Sequence, residues 1–242
     1  EMAEERIAER IDANLLGISM EDLHMLNRKL FNEKIAKLQS KTTGTLIIKE
    51  YPTASAGANH YRALVNELAL KRTFKPDLIF IDYINICASS RFKPGANVNS
   101  YTYIKAIAEE LRGLAVELDV PIVTATQTTR TGFVSTDIGL EDTSESFGLP
   151  ATADFMFALI SSEELERAGQ MLVKQLKNRY NDPTLNRKFI IGVDRSRMKL
   201  FDIEQQAQNL IQPEQEKYVE HNLKETEESP EEKYKKFQDF KY

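Results

Sequence analysis

Apolar and polar positions along the chain switch between helical and strand-like periodicity up to about residue 205, and both patterns then disappear. Residues 3–16 place Ile7, Ile11, Leu15 and Leu16 on one helical face, with acids in the first turn and Gly17 as the stop. Ser19 and Asp22 resemble a capping box, with Asp in place of the usual Glu, ahead of an amphipathic helix predicted to run to about residue 39. Residues 45–51 (TLIIKEY) predict a strand closed by Pro52. Residues 60–72 predict a helix with Leu64, Leu68 and Leu70 inward. After the turn residues Lys75, Pro76 and Asp77 come Leu78, Ile79, Phe80 and Ile81, and the run ends in Asp82. Such an uninterrupted apolar run predicts a strand buried on both faces. Residues 87–99 form a loop holding Arg91, Lys93, Pro94 and Gly95. A helix over about 100–118 carries Ile104, Ile107, Ala108, Leu111, Leu114 and Ala115 at helical spacing. Residues 121–125 predict a short strand, and the polar stretch 128–143 a mobile loop. Two further strands fall at 153–160 and 171–176, and residues 189–193 and 198–203 predict a closing hairpin across 194–197.

Strands that alternate with helices as far as about residue 126 imply βαβ units and a mostly parallel sheet flanked by helices. The strand-rich ending implies that antiparallel members complete it. The fold class is therefore α/β, with one domain over 1–205. Residues 206–242 read as a charged tail, disordered or folding on a partner, with Pro213, Pro230 and an acidic run at 225–232.

Composition narrows the function classes. Hydrophobic residues make up 41% and charged residues 29%, a globular balance. No run approaches the roughly 18 apolar residues of a membrane span, and the first residues lack a secretory apolar core, so no membrane partner is expected. Cys87 is the single cysteine, which excludes an internal disulfide framework and suits a cytoplasmic setting; with three histidines it forms no zinc constellation. It reads as a core thiol. A net charge of −5 excludes a uniformly basic nucleic-acid binder, but not a channel lined by a few local basic loops. The sequence opens on Glu1 rather than Met, so a further N-terminal part is expected.

Candidate chemistry gathers at strand ends. Asp82 ends its strand at the rim where open α/β sheets bind ligands, a place where an acid holds Mg²⁺ under a nucleotide phosphate; the alternative is a turn aspartate. Gln127 lies two residues beyond the 121–125 strand and reaches the same rim, where an amide can sense a γ-phosphate or hold the attacking water; the alternative is a surface loop glutamine. Lys177 and Arg179 leave the 171–176 strand one residue apart, so they project to one side and suit phosphate oxygens; the alternative is a basic pair at a strand end. Nothing in the composition singles out Glu1. No Gly-rich loop ending in Gly-Lys-Ser/Thr occurs in the 242 residues, so the chain alone is expected to bind nucleotide poorly.

In order and spacing these residues resemble the RecA-like motor domain of the DnaB-type hexameric replicative helicases, and within that family its T-even phage branch, over about residues 1–205. The matching stretches are Glu1-Met2, residues 78–82, the helix ending Ala-Val-Glu-Leu-Asp-Val-Pro, the glutamine motif 121–127, Glu145-Ser146 ahead of Ala153-Asp154, and Lys177 with Arg179. The resemblance implies an ATP- or NTP-dependent helicase using Mg²⁺, in which Glu1 is the catalytic base, Asp82 the metal-site acid and Gln127 the γ-phosphate sensor. Lys177 and Arg179 would reach into a neighbouring subunit's site. It also implies a homo-hexamer around single-stranded DNA, with a primase or a helicase loader as partner of the tail. Many relatives carry an arginine before the Glu-Ser motif where this chain has Ser144. DNA contact is therefore assigned to backbone amides around Ser146 and Gly148 and to Arg91, Lys93 and Arg130 on the flanking loops. A RecA-like recombinase shares the sheet, the acid and the glutamine, and would be told apart by filaments instead of rings. A non-catalytic binding module would be told apart by its failure to bind an ATP analogue.

Overall fold

The computed structural model describes residues 2–41, 44–93, 97–128, 139, 148–182, 185 and 187–203. Along the chain the elements are α1 (Glu4–Leu16), α2 (Met20–Met25), α3 (Arg28–Gln39), α4 (Ala58–Arg72), β1 (Ile79–Ile81), α5 (Ser100–Leu118), β2 (Ile122–Thr124), α6 (Gly148–Thr152), β3 (Phe155–Ile160), α7 (Glu163–Arg167), β4 (Gln170–Asn178), β5 (Lys188–Asp194) and β6 (Lys199–Asp202).

The core is built on α5. Asn99 caps it, its side chain accepting from the Thr102 N–H at 2.8 Å, and Asp119 ends it in the left-handed region at φ 53°. Ile104, Ile107, Leu111 and Leu114 fall at i, i+3, i+7 and i+10, so one stripe of the helix is buried. That stripe packs with Ala58 of α4, Leu149 of α6, and Ile84 and Cys87 of the turn after β1. Burying each such large aliphatic side chain is worth about 1.5–3 kcal/mol, so this stripe organises the βαβ unit. β1 and β2, joined through α5, pair in parallel with Ile79 opposite Ile122 and Ile81 opposite Thr124.

Beyond β2 the described strands form a second, antiparallel sheet in the order β3-β4-β5-β6. The predicted strand-rich ending and its closing hairpin are present, with β5 and β6 pairing from Asp194 and Lys199 outward. The antiparallel strands do not extend the parallel pair, because no ladder joins β2 to β3 among the described residues.

Four expectations from periodicity are corrected. The helix predicted from Ser19 to about 39 breaks in two. Leu26 is extended, with ψ 130°, and the Asn27 side chain accepts from the Leu30 N–H at 2.9 Å and starts a new helix. Residues 45–51 pair with no strand among the described residues. They are tied instead to α1, the Glu4 carboxylate accepting from the Glu50 N–H at 2.8 Å and from Lys49 Nζ at 3.4 Å. β1 is not covered on both faces: Phe80 is 69% exposed, and with Leu78 it lines a groove of about 590 Å³ whose other walls include residues 45–52, Ile7, Ile11, Leu64 and Leu68. Leu70 points outward, because six residues beyond Leu64 places it about 120° around the helix from that face. Cys87 is buried, as a core thiol should be, and burial pushes its thiol up while a hydrogen bond with the Tyr61 hydroxyl at 3.3 Å opposes that shift. The predicted loop at 128–143 lies almost wholly outside the described residues, and the tail wholly outside them.

Candidate functional site

The C-terminal ends of β1 and β2 converge. Ile81 lies opposite Thr124, whose hydroxyl donates to the Ile81 carbonyl at 2.8 Å. The Ile84 N–H donates to the Ala125 carbonyl at 3.1 Å, and the Thr126 hydroxyl to Asn85 Oδ1 at 2.8 Å. These bonds carry both chains past their short strands in parallel and bring Asp82 and Gln127 to one rim. Gln127 Nε2 donates to the Tyr83 hydroxyl at 3.4 Å, so the residue next to Asp82 touches the amide directly. Both Asp82 and Gln127 are exposed, and Asp82 opens onto the groove. A carboxylate beside an amide on a parallel-sheet rim can bind a hydrated divalent ion and a phosphate oxygen. No cluster of three or more His, Cys, Asp or Glu occurs among the described residues. Asp82 alone, an oxygen donor, fits an ion that keeps its waters and takes its remaining ligands from phosphate, which is the habit of Mg²⁺.

Behind this rim the chain is braced. The Gly57 N–H, at the start of α4, donates to His60 Nδ1 at 3.3 Å, and the Ala88 N–H donates to the Ala56 carbonyl at 2.7 Å. Glu110 of α5 accepts from the Ser89 hydroxyl at 2.5 Å and from the Ser90 N–H and hydroxyl, each at 3.0 Å. Partial burial pushes that carboxyl up, but these donors outweigh it and hold it below the ordinary carboxylate value.

Lys177 and Arg179 stand at the end of β4, in an antiparallel sheet that no ladder joins to the β1–β2 pair among the described residues. Lys177 lies within β4, which runs two residues further than predicted. Both side chains reach the 150–154 segment that precedes β3. Lys177 Nζ donates to the carbonyls of Pro150 at 2.6 Å and Ala151 at 3.5 Å in α6. Arg179 Nη1 donates to Asp154 Oδ1 at 3.0 Å. Partial burial raises the Asp154 carboxyl, but hydrogen bonds from Arg112 and Arg179 outweigh it and hold it low.

The proposed DNA contacts divide. Arg91 is exposed, but its guanidinium pairs with Glu109 and lies 3.8 Å from Glu110 Oε1. Lys93 is exposed on the same loop. Gly148 starts α6 and is buried against Lys105, where a Cβ would meet the lysine Cγ at 2.7 Å. Glu1, Arg130 and Ser146 lie outside the described residues. Sequence reasoning missed Tyr83, Glu110, Arg112 and Asp154 as site-forming residues. Asp154 stood inside a motif used only as a landmark, and Arg112 falls in a helix read only for its apolar face.

Comparison with known proteins places this geometry in context. The sequence profile of the "DnaB-like helicase C terminal domain" family matches residues 1–227. The chain is 47% identical over 210 residues to the DnaB-like replicative helicase of Enterobacteria phage T4, covering 86% of this chain and 44% of the relative. It is 34% identical over 133 residues to a probable plasmid replicative DNA helicase of Chlamydia muridarum, covering 54% of this chain and 27% of the relative. The chain thus spans less than half the length of these relatives. Two solved structures share the fold. One is an ATPase domain, which aligns with a TM-score of 0.68 at 17% identity, covering 84% of this chain and 72% of that one. The other is a DnaB-like replicative helicase, solved to show its interactions with primase, which aligns with a TM-score of 0.67 at 18% identity, covering 84% of this chain and 50% of that one. The chain thus shares the fold of these ATPase and helicase structures, and it belongs to the DnaB-like helicase C-terminal domain family.

Proposed function

We propose that the chain is the C-terminal motor portion of an ATP-dependent replicative helicase that unwinds duplex DNA in the host cytoplasm. The observation that carries this reading is the convergence of Asp82 and Gln127 at the ends of β1 and β2, linked by the 3.4 Å contact between Gln127 and Tyr83. Asp82 would hold Mg²⁺, which when bound offsets the negative charge of the phosphates. Gln127, anchored by Tyr83, would orient water or a γ-phosphate oxygen and report whether that oxygen is present. Glu1 would take the proton from the attacking water, a role that rests on resemblance. Lys177 and Arg179 would stabilise charge on the phosphoryl group of a neighbouring subunit's nucleotide, which requires an oligomer, read here as a hexamer around single-stranded DNA. Lys93, Arg130 and the amides near Ser146 and Gly148 would contact that strand, whereas Arg91 would first have to leave Glu109. The tail would bind a primase or a loader. Because the 242 residues hold no Gly-x-x-x-x-Gly-Lys-Ser/Thr loop, the chain on its own would bind nucleotide weakly.

The test is Asp82→Asn in the full polypeptide that carries this chain, assayed for DNA-stimulated ATP hydrolysis and strand separation. Loss of both by at least about 10²-fold, with assembly intact, is expected for removal of a charge-stabilising group. Hydrolysis within twofold of wild type would refute the assignment.

A further inference from the structure

Asp154 stands between two arginines that come from distant parts of the chain. Its Oδ2 accepts from Arg112 Nη1 at 2.8 Å, and its Oδ1 accepts from Arg179 Nη1 at 3.0 Å. The Asp154 carbonyl also accepts the Arg179 backbone N–H at 3.0 Å, so this one residue holds Arg179 twice. Arg112 is itself anchored, because the same Nη1 donates to the Thr152 carbonyl at 2.7 Å and its helix is the core helix α5. The Arg112 side chain is 40% exposed, so its anchoring comes from its two hydrogen bonds and its helix and not from burial. The Asp154 side chain is 31% exposed and that of Arg179 is 55% exposed. A fixed carboxylate thus grips one end of a guanidinium while much of its surface faces outward.

An isolated surface ion pair would not need this construction and would contribute little. The arrangement has the features of a mount instead. A rigid helix carries a backing cation, the backing cation fixes the carboxylate, and the carboxylate fixes the direction of the outward arginine. Five N–H donors on a planar fork favour such anchoring, since one can be tied down while others remain for phosphate oxygens. We propose that Asp154, backed by Arg112, is a positioning residue that presents Arg179 to the phosphate of a nucleotide held by a neighbouring subunit. This rests on the trans role given to Arg179 above.

The experiment measures DNA-stimulated ATP hydrolysis by the full polypeptide carrying Asp154→Asn, Arg179→Ala, or both. Asp154→Asn should lower kcat on the order of 10- to 100-fold with KM for ATP within twofold, the signature of a misplaced group instead of weakened binding. Arg179→Ala should lower kcat by about 10³-fold or more. The double variant should match Arg179→Ala, since a mount without its arginine has nothing left to position. Asp154→Glu, which keeps the charge, should recover at least part of the lost rate. If Asp154→Asn does not assemble, Arg112→Ala carries the same test, because it removes the cation whose Nη1 backs the Asp154 carboxylate. A kcat within twofold of wild type in Asp154→Asn, beside an inactive Arg179→Ala, would overturn the mount and leave the role of Arg179 standing. A double variant slower than Arg179→Ala by the full Asp154→Asn factor would overturn it as a general structural effect. Hydrolysis retained in Arg179→Ala would overturn the trans reading beneath it.

Discussion

Gly57→Ala should be among the most damaging single-methyl additions available behind the rim. Gly57 has φ −147°, an extended value open to any residue, so the cost does not come from backbone dihedrals. It comes from space. A Cβ at this position would lie 1.9 Å from the Ala88 carbonyl oxygen and 3.1 Å from its carbon, both backbone atoms. Restoring ordinary contact at 3.4 Å means separating the two chains by about 1.5 Å (3.4 minus 1.9). Neither chain can yield alone. The Ala88 N–H donates to the Ala56 carbonyl at 2.7 Å, and the Ala54 N–H donates to the Ile86 carbonyl at 2.9 Å. Losing one such bond costs about 0.5–1.5 kcal/mol, and overpacking adds about 1–3 kcal/mol, so the total should be about 1.5–4.5 kcal/mol. Urea denaturation of the chain, followed by far-ultraviolet circular dichroism, measures it as a lower midpoint at unchanged slope. Because the displaced strand includes the turn that follows Asp82, the complete protein should also lose ATP hydrolysis below its unfolding temperature. A Gly57→Ala chain within about 0.5 kcal/mol of wild type, the range of a neutral surface substitution, would refute the close approach on which this rests.

Two further predictions concern the core helix. Leu114 has no exposed surface, so Leu114→Ala should cost about 2–5 kcal/mol, read from the same denaturation curves. The Glu110 carboxyl lies below its ordinary value in the folded chain, so it contributes stability above the unfolded-state value that is lost as pH falls through the lower folded-state value. The unfolding free energy of wild type should therefore drop on acidification from about pH 4.5 downward more steeply than that of Glu110→Gln, and parallel curves would refute it.

Where the sequence could be read, its own local rules decided the outcome. The stripe Ile104, Ile107, Leu111 and Leu114 is buried as its spacing requires, and Gly17 ends α1 with φ 66°. The ends of β1 and β2 were legible because each short apolar run is bounded by turn or polar residues, which favours a strand that stops there. What failed depended on neighbours. Phe80 reads as doubly buried from sequence, yet it faces the groove, because what packs over a strand face is set by elements far along the chain, which the run itself does not encode. Asn27 looks like an interior helix residue until its side chain captures the Leu30 N–H. The antiparallel strands were found one by one, but their separation from β2 is a property of pairing, which strand propensity does not encode.

The least legible part, the mount under Arg179, shows why. Residues 112, 154 and 179 share no periodicity and no motif spacing, and charge pairing between them arises only when α5, β3 and β4 come together. The same packing places Lys177 Nζ on the Pro150 carbonyl of α6, while α6 begins at Gly148, close against the Lys105 side chain of α5. Any displacement of α6 must therefore move the partner of Lys177, and Asp154, two residues after α6 ends, with it. The five residues of α6 and the partners of the cations at 177 and 179 therefore form one packed unit. This mechanical link needs no long pathway, because α6 is five residues long and touches α5 on one side and Lys177 on the other.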